Sequence, residues 1–165
     1  MYKFIMLLAL VVVSCKTTSY YVARHAEKET ATTASTATMT SDVPLSEAGK
    51  QRAQALKDLL VKEKIKYVFS TNYIRTKSTA QPLADDIHVP IETYDPKDPQ
   101  FISKLKALNG NTLIIGHSNT VDDLVNELTG KKEIPSDLPD SAYGDLFVIR
   151  KKGKRMTFER KHFGQ

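Results

Sequence analysis

Two histidines and two arginines, scattered along the chain, have the side chains that phosphoryl chemistry needs: Arg24-His25, Arg75 and His117. A guanidinium is planar and makes paired contacts to phosphate oxygens. Phosphoryl transfer requires in-line positioning and neutralisation of charge on the equatorial oxygens. A neutral imidazole can attack phosphorus at neutral pH. A second imidazole can donate to the same oxygens, and a carboxylic acid within reach can protonate the leaving group. This arrangement requires no metal, and the sequence has no dense His/Asp/Glu ligand cluster. Neither a metal nor an organic cofactor is expected.

These four residues can act together only if the fold brings them to one place. Ser19 to Ala23 is rich in Tyr and Val and reads as a buried strand ending at Arg24. Ser46 has the character of a helix N-cap, and Ala48, Arg52, Ala55, Leu56, Leu59 and Leu60 follow at helical spacing. Tyr67 to Ser70 is of strand length, and Tyr73 to Asp86 reads as a helix with Pro82 as a potential kink. Val89 to Tyr94 is a strand candidate, and Pro99 to Leu108 a third helix. Thr112 to Gly116 is a continuous apolar run, the pattern of a strand covered on both faces. Thr120 to Leu128 is a fourth helix. Leu146 to Ile149 and Met156 to Phe158 flank a basic turn at Gly153 and form a hairpin. The alternation predicts a three-layer α/β/α sandwich with a mostly parallel sheet and a C-terminal β-hairpin. Ligands of such sheets bind at the carboxyl ends of the strands. That edge should gather Arg24-His25, Ser70 to Asn72, Asp95 and Gly116-His117-Ser118.

The 165 residues suit one ordinary domain. With 41% hydrophobic and 26% charged residues, extensive disorder is excluded. The net charge of +5 is modest and spread out; its densest run, Arg150 to Arg155, reads as a solvated turn, so nucleic acid is not an expected partner. Residues 29 to 42 are almost all Thr, Ala and Ser and read as a loop. The N-terminus is distinct. Lys3 precedes the apolar run Phe4 to Val13, which is too short to span a bilayer as a mature helix and is followed by Ser14. This is a signal-peptide pattern. Val12-Val13-Ser14-Cys15 resembles a bacterial lipobox, which implies cleavage before Cys15 and lipidation of that lone cysteine. The expected organisation is a signal peptide over 1–14, a short anchor linker over 15–18 and one domain over 19–165. The mature protein would sit at the cell envelope, anchored to the membrane and facing the periplasm or the exterior.

Four motifs carry a family resemblance. Arg24-His25-Ala26-Glu27-Lys28 resembles the RHG-type signature of the histidine phosphatase superfamily, which has the phosphoglycerate mutase-like fold. Pro44-Leu45-Ser46-Glu47-Ala48-Gly49 resembles its LTxxG helix opening. Phe69 to Thr76, followed by Thr79-Ala80, resembles SxxxRxxxTA with its second arginine, and Ile115-Gly116-His117-Ser118 the second-histidine motif. The resemblance implies that His25 attacks phosphorus and becomes a phosphohistidine. Arg24 and Arg75 grip the phosphoryl oxygens, His117 donates to them, and water completes hydrolysis.

The chain departs from the family pattern at Ala26, where glycine is usual, and at Ser118, where the phytase-like branch carries an Asp. It also lacks room for the insertions that cap the pocket in mutases. These differences favour an open, phosphohistidine-phosphatase-like site. The family's larger branch places its acid after the strand following the second arginine, where Glu92 and Asp95 compete. Asp95 is preferred because it ends the strand at the pocket edge; its competing role is a turn-former before Pro96.

The expected function is hydrolysis of phosphomonoesters or phosphoramidates, the partner being a phosphorylated small molecule or a phosphoprotein. One alternative is a binding module that captures a phospho-ligand without turnover; acid-labile phosphate on His25 would discriminate. Another is a phosphomutase, disfavoured because the short chain has no lid to exclude water.

Overall fold

The computed structural model describes residues 17–30 and 42–164. The expected signal peptide, Cys15 and most of the Thr-rich loop lie outside the described residues. Ten elements follow in chain order. They are β1 (Thr17–Arg24), α1 (Glu47–Leu60), β2 (Ile65–Ser70), α2 (Ile74–Ile87), β3 (Ile91–Thr93), α3 (Phe101–Ala107), β4 (Asn111–Gly116), α4 (Val121–Thr129), β5 (Asp145–Lys152) and β6 (Arg155–His162).

The six strands form one sheet in the order β3-β2-β4-β1-β5-β6. The first four are parallel, and β5 joins β1 antiparallel and turns into β6. Alternation along β1 shows the layers directly. Tyr20 and Val22 point into a core shared with Phe101 and Leu105 of α3 and Val121, Val125 and Leu128 of α4. Tyr21 and Ala23 point to the other face, onto Leu56 and Leu60 of α1 and Ala80 and Leu83 of α2. Successive side chains of a strand face opposite sides, so one apolar strand serves two cores. The fold is therefore the expected three-layer sandwich with a hairpin at the end.

Three local readings change. β1 starts at Thr17, two residues earlier than expected, because Thr17 and Thr18 pair with Lys152 and Lys151 of the hairpin. The buried stripe of α1 is Gly49, Ala53, Leu56 and Leu60. Ala48 and Leu59, counted on the apolar face from spacing alone, are exposed. The hydrophobic repeat tolerated either face; the close approach at Gly49 selects between them. Helix α2 runs without a break through Pro82.

Candidate active site

The carboxyl ends of β1, β2 and β4 converge as parallel neighbours, with Arg24 beside Gly116 and Ser70 beside Ile115. The chain leaves each strand at that edge, and a cleft of about 660 Å³ opens there. Arg24, His25, Arg75 and His117 all line it, so residues up to 93 positions apart share one wall-to-wall space.

His25 is held from both sides. Its amide donates to the carbonyl of Gly116 at 3.0 Å. Its Nδ1 lies 2.7 Å from the carbonyl oxygen of Ala26. A carbonyl can only accept, so Nδ1 carries the proton and Nε2 is the bare nitrogen. Burial lowers the His25 pKa to about 3, and the charges of Arg24 and Arg75 act in the same direction, against the Ala26 hydrogen bond. The imidazole is thus neutral at ordinary pH, with its lone pair on Nε2.

Ala26 is itself anchored. Its amide donates to Thr79 Oγ1 at 2.9 Å, and that hydroxyl donates to the Arg75 carbonyl at 2.8 Å. One threonine of α2 therefore ties the segment that carries His25 to the backbone of Arg75. Downstream, the amide of Ser46 donates to the Glu27 carbonyl at 2.9 Å. Ser46 Oγ also caps α1 by accepting from the Gly49 amide at 3.1 Å. A Cβ at position 49 would collide with the Glu27 carbonyl, which explains a glycine in that motif. Glu27 does not pair with its neighbour Lys28. It receives a forked contact from Arg52, with Nε and Nη2 within 2.9 Å of its carboxylate. Burial opposes ionisation of Glu27, yet the Arg52 contact outweighs it and the pKa falls.

Arg24 is buried, and its Nη1 donates to the carbonyls of Pro139 and Asp140 at 3.1 and 3.0 Å. Its guanidinium lies 4.4 Å from the centre of the Tyr143 ring. The buried Nε has no protein partner among the described residues. Such an orphaned donor in a cationic cleft suits an anion. Arg75 stands over the Tyr73 ring at 4.5 Å, with Nη1 3.8 Å from Asp42 Oδ1. Asp42 also accepts from the Ile74 amide at 2.8 Å and so caps α2 from outside the helix. The His25 and His117 rings meet edge-on with centres 5.4 Å apart. Burial lowers the His117 pKa to about 4, with Arg75 and Arg24 adding to the shift and Asp42 opposing it.

The two carboxylate candidates differ in place. Asp95 lines the cleft, and its Oδ1 accepts from the Lys97 amide at 2.9 Å, so it is also the turn-former that Pro96 led one to expect. Glu92 is exposed and paired with Lys104 Nζ at 3.2 Å. The contacts of Arg24 with residues 139–142, of Asp42 with α2, and of Thr71 with His117 were not anticipated from sequence. Thr71 stands four residues before Arg75, so its place at the end of β2 was the available signal for it.

Residues 20–96 match the model of the histidine phosphatase superfamily (branch 1). A search of the curated proteins finds no match. Among solved structures, the chain is similar to the protein histidine phosphatase SixA complexed with tungstate. The TM-score is 0.67 at 19% identity, covering 87% of this chain and 96% of that one. It is similar to the alpha-ribazole phosphatase from Shigella flexneri, with TM-score 0.63, 17% identity and coverage of 89% and 96%. It is also similar to a mycobacterial glucosyl-3-phosphoglycerate phosphatase, with TM-score 0.62, 11% identity and coverage of 89% and 98%. At these identities the likeness is one of fold, the phosphoglycerate mutase-like fold.

Proposed function

Starting from the match of residues 20–96 to the histidine phosphatase superfamily, we propose that this chain is a phosphatase acting on phosphomonoesters or phosphoramidates through a phosphohistidine on His25. The observation that carries the proposal is the shared cleft of Arg24, His25, Arg75 and His117, with the bare Nε2 of His25 fixed by the Ala26 carbonyl. Each partner has a task in the cycle. Arg24 and Arg75 bind the phosphoryl oxygens and neutralise their charge. The Nε2 lone pair attacks phosphorus, an N–P bond forms, and the bond to the leaving group breaks. The leaving oxygen or nitrogen takes a proton, for which Asp95 stands at the cleft wall. Water then attacks the phosphohistidine and gives a proton back to the Asp95 carboxylate, the N–P bond breaks, and inorganic phosphate leaves with His25 neutral again.

The sequence of the N-terminus adds a location. Lipidation of Cys15 would anchor the domain at the cell envelope, with a phosphorylated small molecule or phosphoprotein outside the cytoplasm as substrate. In the sequence, one residue, Lys16, separates Cys15 from Thr17, the first described residue of β1. Two experiments test these parts. Release of phosphate from a panel of phosphosugars, nucleotides, phosphoamino acids and phosphoramidates should be measured for the wild type and His25→Ala. Incorporation of labelled palmitate should be compared between the wild type and Cys15→Ala in a bacterial host.

A further inference from the structure

The nucleophile's tautomer is fixed by its own neighbour's carbonyl. Among the described residues, no carbonyl faces the His117 ring nitrogens, and its protonation is settled by a different device. Thr76 is fully buried, and its hydroxyl lies 2.9 Å from the carbonyls of both Thr71 and Tyr73. A hydroxyl has one proton, and these carbonyls can only accept, so Thr76 spends its proton on one of them. Its oxygen is then an acceptor for the Thr71 hydroxyl, 3.0 Å away. Thr71 is also buried, and with its proton directed at Thr76 it presents a lone pair to His117 Nε2 at 2.8 Å. That leaves Nδ1 bare, where Arg75 Nη2 donates to it at 3.4 Å. Every bond in the chain has one donor and one acceptor only in this direction. The opposite direction would set an N–H on Nδ1 against the guanidinium and leave Thr76 without a proton for two carbonyls.

We propose that Thr71 and Thr76 form a directional hydroxyl relay that holds His117 as its Nε2–H tautomer, turning Nδ1 toward Arg75 and the phosphoryl group. The proposal rests on the phosphatase reading for its use, but not for its geometry. Thr71 and Thr76 are positioning residues that act through His117, to which Thr71 is bonded directly. A phosphoryl group entering the cleft draws Arg75 onto its oxygens. His117 Nδ1 is then the nitrogen that faces the anion, and a proton taken up there from solvent is shared with its oxygens, while Nε2 stays bonded to Thr71. A ring held at Nε2 by a buried hydroxyl cannot flip, so the second histidine is oriented before substrate arrives.

Long-range ¹⁵N–¹H imidazole spectra at neutral pH read the tautomer directly. In the wild type, His117 should show a protonated Nε2 and a bare Nδ1. Thr76→Val keeps the shape but frees the Thr71 proton to donate to Nε2, so the Nδ1–H form should become the major species. Thr76→Ser should restore the wild-type pattern. For turnover of an aryl phosphate, Thr76→Val should lower kcat roughly tenfold with little change in KM, the effect of one misdirected buried hydrogen bond. An Nδ1–H tautomer in the wild type overturns the relay, and so does an unchanged Nε2–H tautomer in Thr76→Val. If Thr76→Val fails to fold, Thr71→Ser and Thr71→Val keep the test open, the first retaining the tautomer and the second losing it. Retention in both overturns the proposal. A wild-type protein with the stated tautomer but no turnover would instead contradict the phosphatase reading and leave the relay intact.

Discussion

The Nδ1 atom of His25 sits 2.7 Å from the carbonyl oxygen of Ala26, the very next residue. This contact orients the ring and assigns its proton, with no carboxylate partner for His25 among the described residues. It differs from the common arrangement in which an acidic group orients a catalytic histidine and raises its basicity. Here the His25 ring stays neutral because burial and two arginines disfavour its cation.

In the proposed cycle the His25 imidazole accepts the phosphoryl group. His25→Ala should lower kcat/KM for an aryl phosphate by at least about 10³-fold, in line with the loss of other covalent nucleophiles. Circular dichroism should be unchanged, since the vacated site is a cleft wall. Turnover within tenfold of the wild type would rule out His25 as the nucleophile.

The two arginines should be separable by substitution with lysine. Lysine keeps the charge but loses the planar fork. Arg75→Lys should cost about 2 kcal/mol of transition-state binding, roughly 30-fold in kcat/KM. Arg24→Lys should cost stability as well, because the Arg24 guanidinium also bonds the carbonyls of Pro139 and Asp140. Thermal unfolding alongside steady-state kinetics distinguishes the two.

Both histidines titrate below the ordinary value, to about 3 and about 4. A depressed folded-state pKa means that the unfolded chain binds more protons than the folded one between that value and the ordinary 6.5. Stability contributed by these groups is therefore complete above about pH 6.5 and is lost as pH falls through the folded values. Phosphate or vanadate in the cleft adds negative charge beside His117, which is also faced by Arg24, Arg75, His25 and Asp42. Its pKa should rise, and binding near pH 6 should take up protons. Calorimetry in two buffers of different ionisation enthalpy measures that uptake; binding heats independent of buffer would contradict it.

Much of this site was legible in the sequence, and the reason is topological. Parallel strands must end on the same edge, so Arg24-His25 and His117, each following an apolar run, had to meet. Arg75 was legible because it opens the helix after the next strand. What was not legible depends on contacts between segments far apart in sequence. The carbonyls that hold Arg24 come from residues 139–142, a stretch with no periodicity. Asp42 reaches α2 across a break of more than thirty residues. The choice of the Ala53 face over the Leu59 face of α1 followed from backbone contact at Gly49, which hydrophobic spacing cannot register.

That contact gives a stability prediction. Gly49→Ala forces its Cβ onto the Glu27 carbonyl and should destabilise the fold by about 1–3 kcal/mol. Ser46→Ala removes the α1 cap alone and should cost about 1 kcal/mol. Urea unfolding of the two variants gives the comparison; a neutral Gly49→Ala would show that the segment after His25 can move freely.

The two acid candidates call for opposite outcomes. Asp95→Asn should slow hydrolysis of an alkyl phosphate, whose leaving group needs a proton, by roughly 10²-fold or more. It should barely affect a phosphoramidate. Glu92→Gln should change neither, because Glu92 is exposed and paired with Lys104. A leaving-group series run on both variants decides the assignment.

The central claim is a covalent bond between His25 and phosphorus, and rapid quenching with ³²P-labelled substrate tests it most directly. Wild-type protein quenched in alkali should carry label that is stable to base and lost in acid, mapping to the peptide that contains His25, and His25→Ala should carry none. Wild-type turnover with no such label under burst conditions, or label that persists in His25→Ala, would contradict the mechanism.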